Sequence, residues 1–156
     1  MSKLIVNSVD DFLTLRGKSL GKSDWLEISQ GVINNFADAT FDHQWIHVDA
    51  ERVKLENPLG STIAHGYLIL SLIPYMLNEI ISVNNLRKLV NYGIEKMLYK
   101  NTVPVGSRLR LHATLVKARD LGGICQTTIQ CKFEIEGQEY PVLEGSIIYL
   151  YYFNEQ

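Results

Sequence analysis

The clearest pattern in the chain lies in its second half. Apolar and polar residues alternate through Leu109, Leu111, Ala113 and Leu115, the period-two signature of a half-buried strand. Runs of the same character predict strands over Leu89–Tyr99, Arg108–Lys117, Gly123–Glu134 and Tyr140–Tyr152. Asp120-Leu121-Gly122-Gly123 and Glu136-Gly137-Gln138 read as hairpin turns, and Val103-Pro104-Val105-Gly106 as a connection.

The first half reads differently. Ser8 is placed to cap a helix with Asp10 and Asp11 in its first turn, Phe12, Leu13 and Leu15 on its apolar face and Gly17 at its end. Lys18–Lys22 reads as a loop and Asp24–Ile28 as a first strand. Ser29 then caps a second helix that buries Val32, Ile33 and Phe36. From Ala39 to His47 no period is visible. Asp49 predicts the N-cap of a short helix over Ala50–Leu55, and Asn57-Pro58-Leu59-Gly60 a turn. From Ile63 to roughly Ser82 the chain is apolar on nearly all sides, which predicts one long core helix bent at Pro74.

This order predicts an α+β domain in which one antiparallel sheet wraps one central helix. At 156 residues the simplest organisation is a single domain over 1–156. A single sheet leaves an edge strand to cover. The run Ile147-Ile148-Tyr149-Leu150-Tyr151-Tyr152 is more apolar than one small core requires. Both features predict a homodimer that continues the sheet across a two-fold axis.

Composition narrows the function classes. With 46% apolar and 21% charged residues and a net charge of -2, the chain is an ordinary globular one. Its interspersed charges argue against nucleic acid and against a polybasic membrane surface as partners. Ile63–Ile81 carries His65, Pro74, Asn78 and Glu79, so it reads as a buried helix and not a membrane span. The N-terminus lacks an apolar core of signal-peptide length. Cys125 and Cys131 sit about 20 Å apart if their strand is continuous, too far to bridge. They are expected as free thiols in a reducing, cytoplasmic setting.

The candidate chemistry sits in Asp42-His43-Gln44-Trp45-Ile46-His47. A carboxylate and an imidazole five residues apart can converge on one small molecule and supply an acid and a base near neutral pH. On these six residues alone, the commoner arrangement is a turn-capping Asp42 and a surface His47. Two features tilt the balance. Trp45 and Ile46 embed the pair in apolar surroundings. Ala64-His65-Gly66 opens the predicted core helix, where the Gly66 N–H could stabilise a developing oxyanion.

FADATFDHQWIHVD followed by IAHG resembles the hydratase motif of the MaoC-like dehydratases, the R-specific enoyl-CoA hydratases. The glutamine-tryptophan form is similar to the nodulation-protein-N-like branch, and NYGIEKMLYKNTVPVGSRLRLHATL also resembles this family. The likeness spans most of Asp24 to Gly145. It implies the hotdog fold, a sheet around one long helix, usually dimeric. It implies that Asp42 and His47 hold a water and deliver it across the C2–C3 double bond of an enoyl thioester. Gly66 matches the glycine whose N–H binds the thioester oxygen. Gln44 stands where the family has asparagine and would orient the water. His65, Tyr67 and Tyr92 are the further candidate substrate contacts. The implied partner is an acyl thioester of coenzyme A or an acyl carrier protein, with no cofactor and no metal. Three positions depart from the pattern: Phe41 replaces the usual glycine, Trp45 a proline, and Leu143-Glu144-Gly145 an alanine-glutamate pair.

Other readings compete. His43, His47, Asp42 and His65 could in principle bind a metal, but the intervening residues do not read as the helix that would align them. A thioesterase on the same fold, or a non-catalytic acyl-thioester-binding protein, would keep the scaffold with different chemistry.

Overall fold

The computed structural model describes residues 3–154. The chain opens with β1 (Leu4–Val6) and the short helix α1 (Val9–Thr14). Ser8 caps α1 by accepting the Asp11 N–H at 3.3 Å. Phe12 anchors the helix against Tyr151, their ring centroids 4.6 Å apart. The stretch expected to be a loop is β2 (Ser19–Lys22), paired with β6 (Arg108–Asp120). Only Leu20 of β2 is buried and Gly21 breaks its alternation, so the partner strand decides the pairing and no local pattern announces it. Of the strand expected over Asp24–Ile28, only β3 (Leu26–Glu27) pairs, also with β6.

Helix α2 (Gln30–Thr40) is capped as expected, Ser29 Oγ accepting the Val32 N–H at 3.3 Å. It buries Ile33 and Ala37, while Val32, expected inside, faces solvent. It also runs into the stretch where no period was visible. It stops where Phe41 adopts the left-handed conformation, φ 61°. After a bend come α3 (Trp45–Val48) and α4 (Ala50–Glu56), the latter capped by Asp49 through the Arg52 N–H at 3.0 Å.

The apolar stretch expected as one long helix is divided. Ile63–His65 is extended, α5 (Gly66–Ser71) and α6 (Ile73–Ile80) meet at Leu72, and Ile81–Val83 is β4, paired in parallel with β1. Pro74 lies in the first turn of α6, where its missing N–H costs no helical hydrogen bond. Nor is the helix wrapped on every side, since Tyr67 and Tyr75 are exposed. It buries Leu68, Ile69, Ile73, Met76, Leu77 and Ile80.

The remaining strands are β5 (Leu86–Tyr99), β7 (Ile124–Ile135) and β8 (Leu143–Phe153). The large sheet runs β2-β6-β7-β8-β5, antiparallel throughout, with β3 beside β6. Its inner face presents Leu109, Leu111 and Leu115 from β6, Ile129 and Phe133 from β7, and Ile147, Tyr149 and Tyr151 from β8. Cys125 and Cys131 lie on the same face as free buried thiols, and burial raises both to about 12. At neutral pH they are inert thiols filling the core. Among the described residues no helix is long and apolar enough to cross a membrane.

Candidate active site

Three backbone connections build the site. The extended segment before α5 is clamped on both sides: the Ile63 N–H donates to the Ile46 carbonyl at 3.1 Å and the Ala64 N–H to the Val103 carbonyl at 2.8 Å. Gln30 ties in the helices. Its Nε2 donates to the His47 carbonyl at 2.8 Å, while its Oε1 accepts the Thr62 hydroxyl at 2.5 Å. One glutamine thus joins α2, α3 and the entry to α5. Its partners lie 17 and 32 residues away, a separation that gives no signal in the sequence.

His47 sits in α3 and is buried. Its Nδ1 lies 2.7 Å from the Ile63 carbonyl. A carbonyl only accepts, so Nδ1 carries the proton and Nε2 keeps a free lone pair. Burial is the main cause that lowers the His47 pKa from its ordinary 6.5, and nearby His65 adds to the shift. The Ile63 hydrogen bond and Asp42 oppose it. The net result is a neutral imidazole at pH 7, ready to accept a proton.

His65 is the N-cap residue of α5 and is 2% exposed. Its Nε2 lies 2.9 Å from the backbone carbonyl of Asp42, to which it donates. Its ring stacks on that of His47, centroids 3.8 Å apart, and Phe36 packs against it at 5.0 Å. Among the described residues the buried Nδ1 of His65 has no hydrogen-bond partner. One imidazole therefore touches both members of the candidate pair and retains an unsatisfied nitrogen beside them.

Asp42 follows Phe41 and is half exposed, its side chain 51% accessible. The ligating atoms of Asp42, His47 and His65 all lie within 4.8 Å of one another. That proximity alone would suit a metal ion. Each imidazole has one nitrogen committed to a carbonyl and one left over, and the two rings stack 24° from parallel.

Beside the cluster opens a cavity of about 230 Å³. His47 and Gly66 lie at its wall with Ile63, Ala64, Ile69, Val103, Val142 and Leu143, so it is largely apolar, Asn101 and Thr102 adding the polar lining. Gly66 is the first residue of α5, where N–H groups have no intrahelical acceptor. A Cβ at this position would lie 2.7 Å from the Tyr99 ring, so glycine allows the aromatic wall to close on the backbone.

The other candidates fall less centrally. Gln44 is exposed at the start of α3, its backbone N–H 3.4 Å from Asp42 Oδ1. Tyr67 faces solvent edge-on to Tyr99, centroids 6.3 Å apart. Tyr92 is exposed on β5 and does not line the cavity. Tyr99 lines the cavity instead; the irregularities of β5 at Asn91/Gly93 and Glu95/Leu98 keep a simple period of two from telling which tyrosine faces inward. His43 pairs outside the site with Asp38 at 2.8 Å.

A large antiparallel sheet packed against a helical stretch, here divided at Leu72, defines a hotdog-fold protein. Comparison with known proteins places the chain within that class: residues 11–133 match the MaoC-like domain, and the protein belongs to the MaoC-like family. It is 43% identical over 145 residues to 3-hydroxyacyl-thioester dehydratase Z of Mycobacterium tuberculosis, covering 92% of this chain and 95% of the relative. It is 37% identical over 149 residues to nodulation protein N of Rhizobium leguminosarum, covering 94% and 92%. A solved structure described as a monoamine oxidase regulatory protein from Archaeoglobus superposes with a TM-score of 0.80 at 19% identity, over 99% of this chain and 100% of that one.

Proposed function

We propose that this protein is a hydro-lyase that interconverts enoyl and 3-hydroxyacyl thioesters, adding water across C2–C3 in the R sense or removing it. The observation that carries the reading is that His47 belongs both to a cluster with Asp42 and to the wall of a largely apolar cavity that it shares with Gly66. The name of the 43% identical relative, a 3-hydroxyacyl-thioester dehydratase, supports it.

The geometry supports the following chemistry. The Asp42 carboxylate accepts one hydrogen of a water and holds it at C3. His47 Nε2 removes the other proton as oxygen attacks, with the Nδ1–H fixed on Ile63. Electrons pass from the double bond to the thioester oxygen, where the Gly66 N–H meets the growing charge. The imidazolium then returns its proton to C2 as the enolate collapses. Water is added whole, and no cofactor is needed.

The carrier of the acyl group, coenzyme A or acyl carrier protein, stays outside the cavity. The protein acts as one domain over its 156 residues and works in the cytoplasm. It does so as a homodimer, because among the described residues β5 pairs with β8 alone and displays Tyr92, Ile94, Leu98 and Tyr99 to solvent. Sedimentation at micromolar concentration should give twice the chain mass, and an Ile94→Arg variant should return it to one; a wild-type monomer would refute the pairing.

The activity test is loss of conjugated enoyl-thioester absorbance on adding the protein to crotonyl-CoA, with Asp42→Asn as control. Loss with the wild type only supports the reading. No loss with crotonyl-CoA or longer enoyl chains refutes it.

A further inference from the structure

We propose that Met97 is a gate that sets the length of acyl chain the site accepts. The proposal builds on the hydro-lyase reading and extends it to the substrate's length. Two cavities lie along the seam between the α5–α6 helices and the β5–β8 strand pair. The first, about 230 Å³, contains His47 and Gly66. The second, about 280 Å³, is walled by Leu70, Ile73, Pro74, Ile94, Ile147 and Tyr149. The helix-facing positions of β8 are Leu143, Gly145, Ile147 and Tyr149. Leu143 borders the first cavity, Ile147 and Tyr149 border the second, and Gly145 borders neither. On β5, Tyr99 belongs to the first and Asn91, Gly93 and Ile94 to the second. The segment 95–98 separates them. From Leu143 to Ile147 the strand advances roughly 13 Å, the span of a medium-length acyl chain.

What fills the gap is the methionine. The ladder between β5 and β8 slips between Glu95 and Leu98, with Lys96 at φ 48°. This bulge throws Met97 across Gly145 on the inner face. A Cβ at Gly145 would lie 2.6 Å from Met97 Cα and 2.7 Å from its sulfur. Gly145 therefore gives Met97 the room it occupies, and the half-buried side chain packs against the core. Two local departures from a regular strand pair, a bulge with a left-handed lysine and a glycine opposite it, put an unbranched, flexible side chain over the stretch of β8 between Leu143 and Ile147. The occupant that fits both cavities together is an unbranched hydrocarbon chain entering from the His47 end.

The test compares wild type, Met97→Ala and Met97→Phe. kcat/KM is measured for trans-2-butenoyl-, octenoyl- and dodecenoyl-CoA. Binding of the unreactive butanoyl- and dodecanoyl-CoA is measured by calorimetry. In Met97→Ala the dodecenoyl-to-butenoyl ratio should rise at least about tenfold, the scale of a few methylenes gained in an apolar pocket. The same preference should appear in binding, and Met97→Phe should move both ratios the other way. Ratios unchanged in both variants overturn the gate. Hydration with unchanged ratios removes the gate and keeps the hydro-lyase. Chain-length-dependent binding that responds to Met97, with no hydration by any form, keeps the gate and removes the hydro-lyase.

Discussion

The ring of His65 lies on the ring of His47, centroids 3.8 Å apart and planes 24° from parallel. Both rings are buried, so two positive charges here would repel at close range in a medium that screens poorly. Burial and His65 both hold the His47 pKa below its ordinary 6.5. The neutral form is therefore favoured in the folded protein, and His47 remains a base as pH falls below 6.5.

Two pH effects follow. The acid limb of kcat should lie below 6.5, and in His65→Gln it should move upward because one lowering influence is gone. A merely structural role for His65 would lower kcat without moving the limb. For stability the sign is the reverse of a salt-bridged histidine. The unfolded chain binds the proton more readily, so stability falls as pH drops from 6.5 toward the depressed folded value. Thermal melts from pH 8 to pH 5 should show this slope, and His47→Gln should flatten it.

Loss of either member of the pair should lower turnover by about a hundredfold, but the two variants should differ in stability. Asp42 is half exposed, so Asp42→Asn should stay within about 0.5 kcal/mol of wild type. His47→Ala strips the Ile63 carbonyl of its donor inside the fold and should cost about 2 kcal/mol. Urea titration together with initial rates separates the two; equal stability losses would contradict the buried assignment of His47.

Gly66→Ala meets Tyr99 before it meets any substrate, since its Cβ would lie 2.7 Å from that ring. The single variant should lose both stability and activity. In a Tyr99→Ala background the added methyl has space, so the stability loss should vanish. The activity that remains missing in the double variant then reports crowding at the Gly66 N–H. If activity returns in full, the methyl, which leaves the N–H in place, does not obstruct the chemistry.

Phe41 ends α2 at φ 61° with its side chain 86% exposed. The left-handed conformation costs a side-chain-bearing residue about 1–2 kcal/mol, and the exposed ring recovers little of it. Phe41→Gly removes the strain at some cost in unfolded-chain entropy. A net gain of about 0.5 kcal/mol is expected, read as a higher urea midpoint. A lower midpoint would mean that the phenyl ring makes a stabilising contact. The glycine that the family resemblance expects here is thus explained by backbone geometry.

Much of the outline was legible in the chain. Alternation at Leu109, Leu111, Ala113 and Leu115 marked a strand with one face inward, and all four are buried. Ser8, Ser29 and Asp49 marked three helix starts through short-range hydrogen bonds that a few consecutive residues specify. The break at Leu72 and the strand Ile81–Val83 were not legible. An all-apolar run reads alike as helix or buried strand, and only β1 lying alongside makes the last three residues a strand.

Local sequence determined the four long strands, the caps, the free core thiols and the spacing that puts Asp42 and His47 in one segment, because each depends on residues within a few positions of one another. Tertiary structure alone decided which nitrogen of His47 is free, that His65 clamps Asp42 and stacks on His47, that Tyr99 rather than Tyr92 walls the cavity, and that Met97 crosses Gly145. Each of these depends on contacts between segments whose approach is set by packing the whole sheet around the helix, and side chains that meet only after that packing leave no periodic mark in the chain.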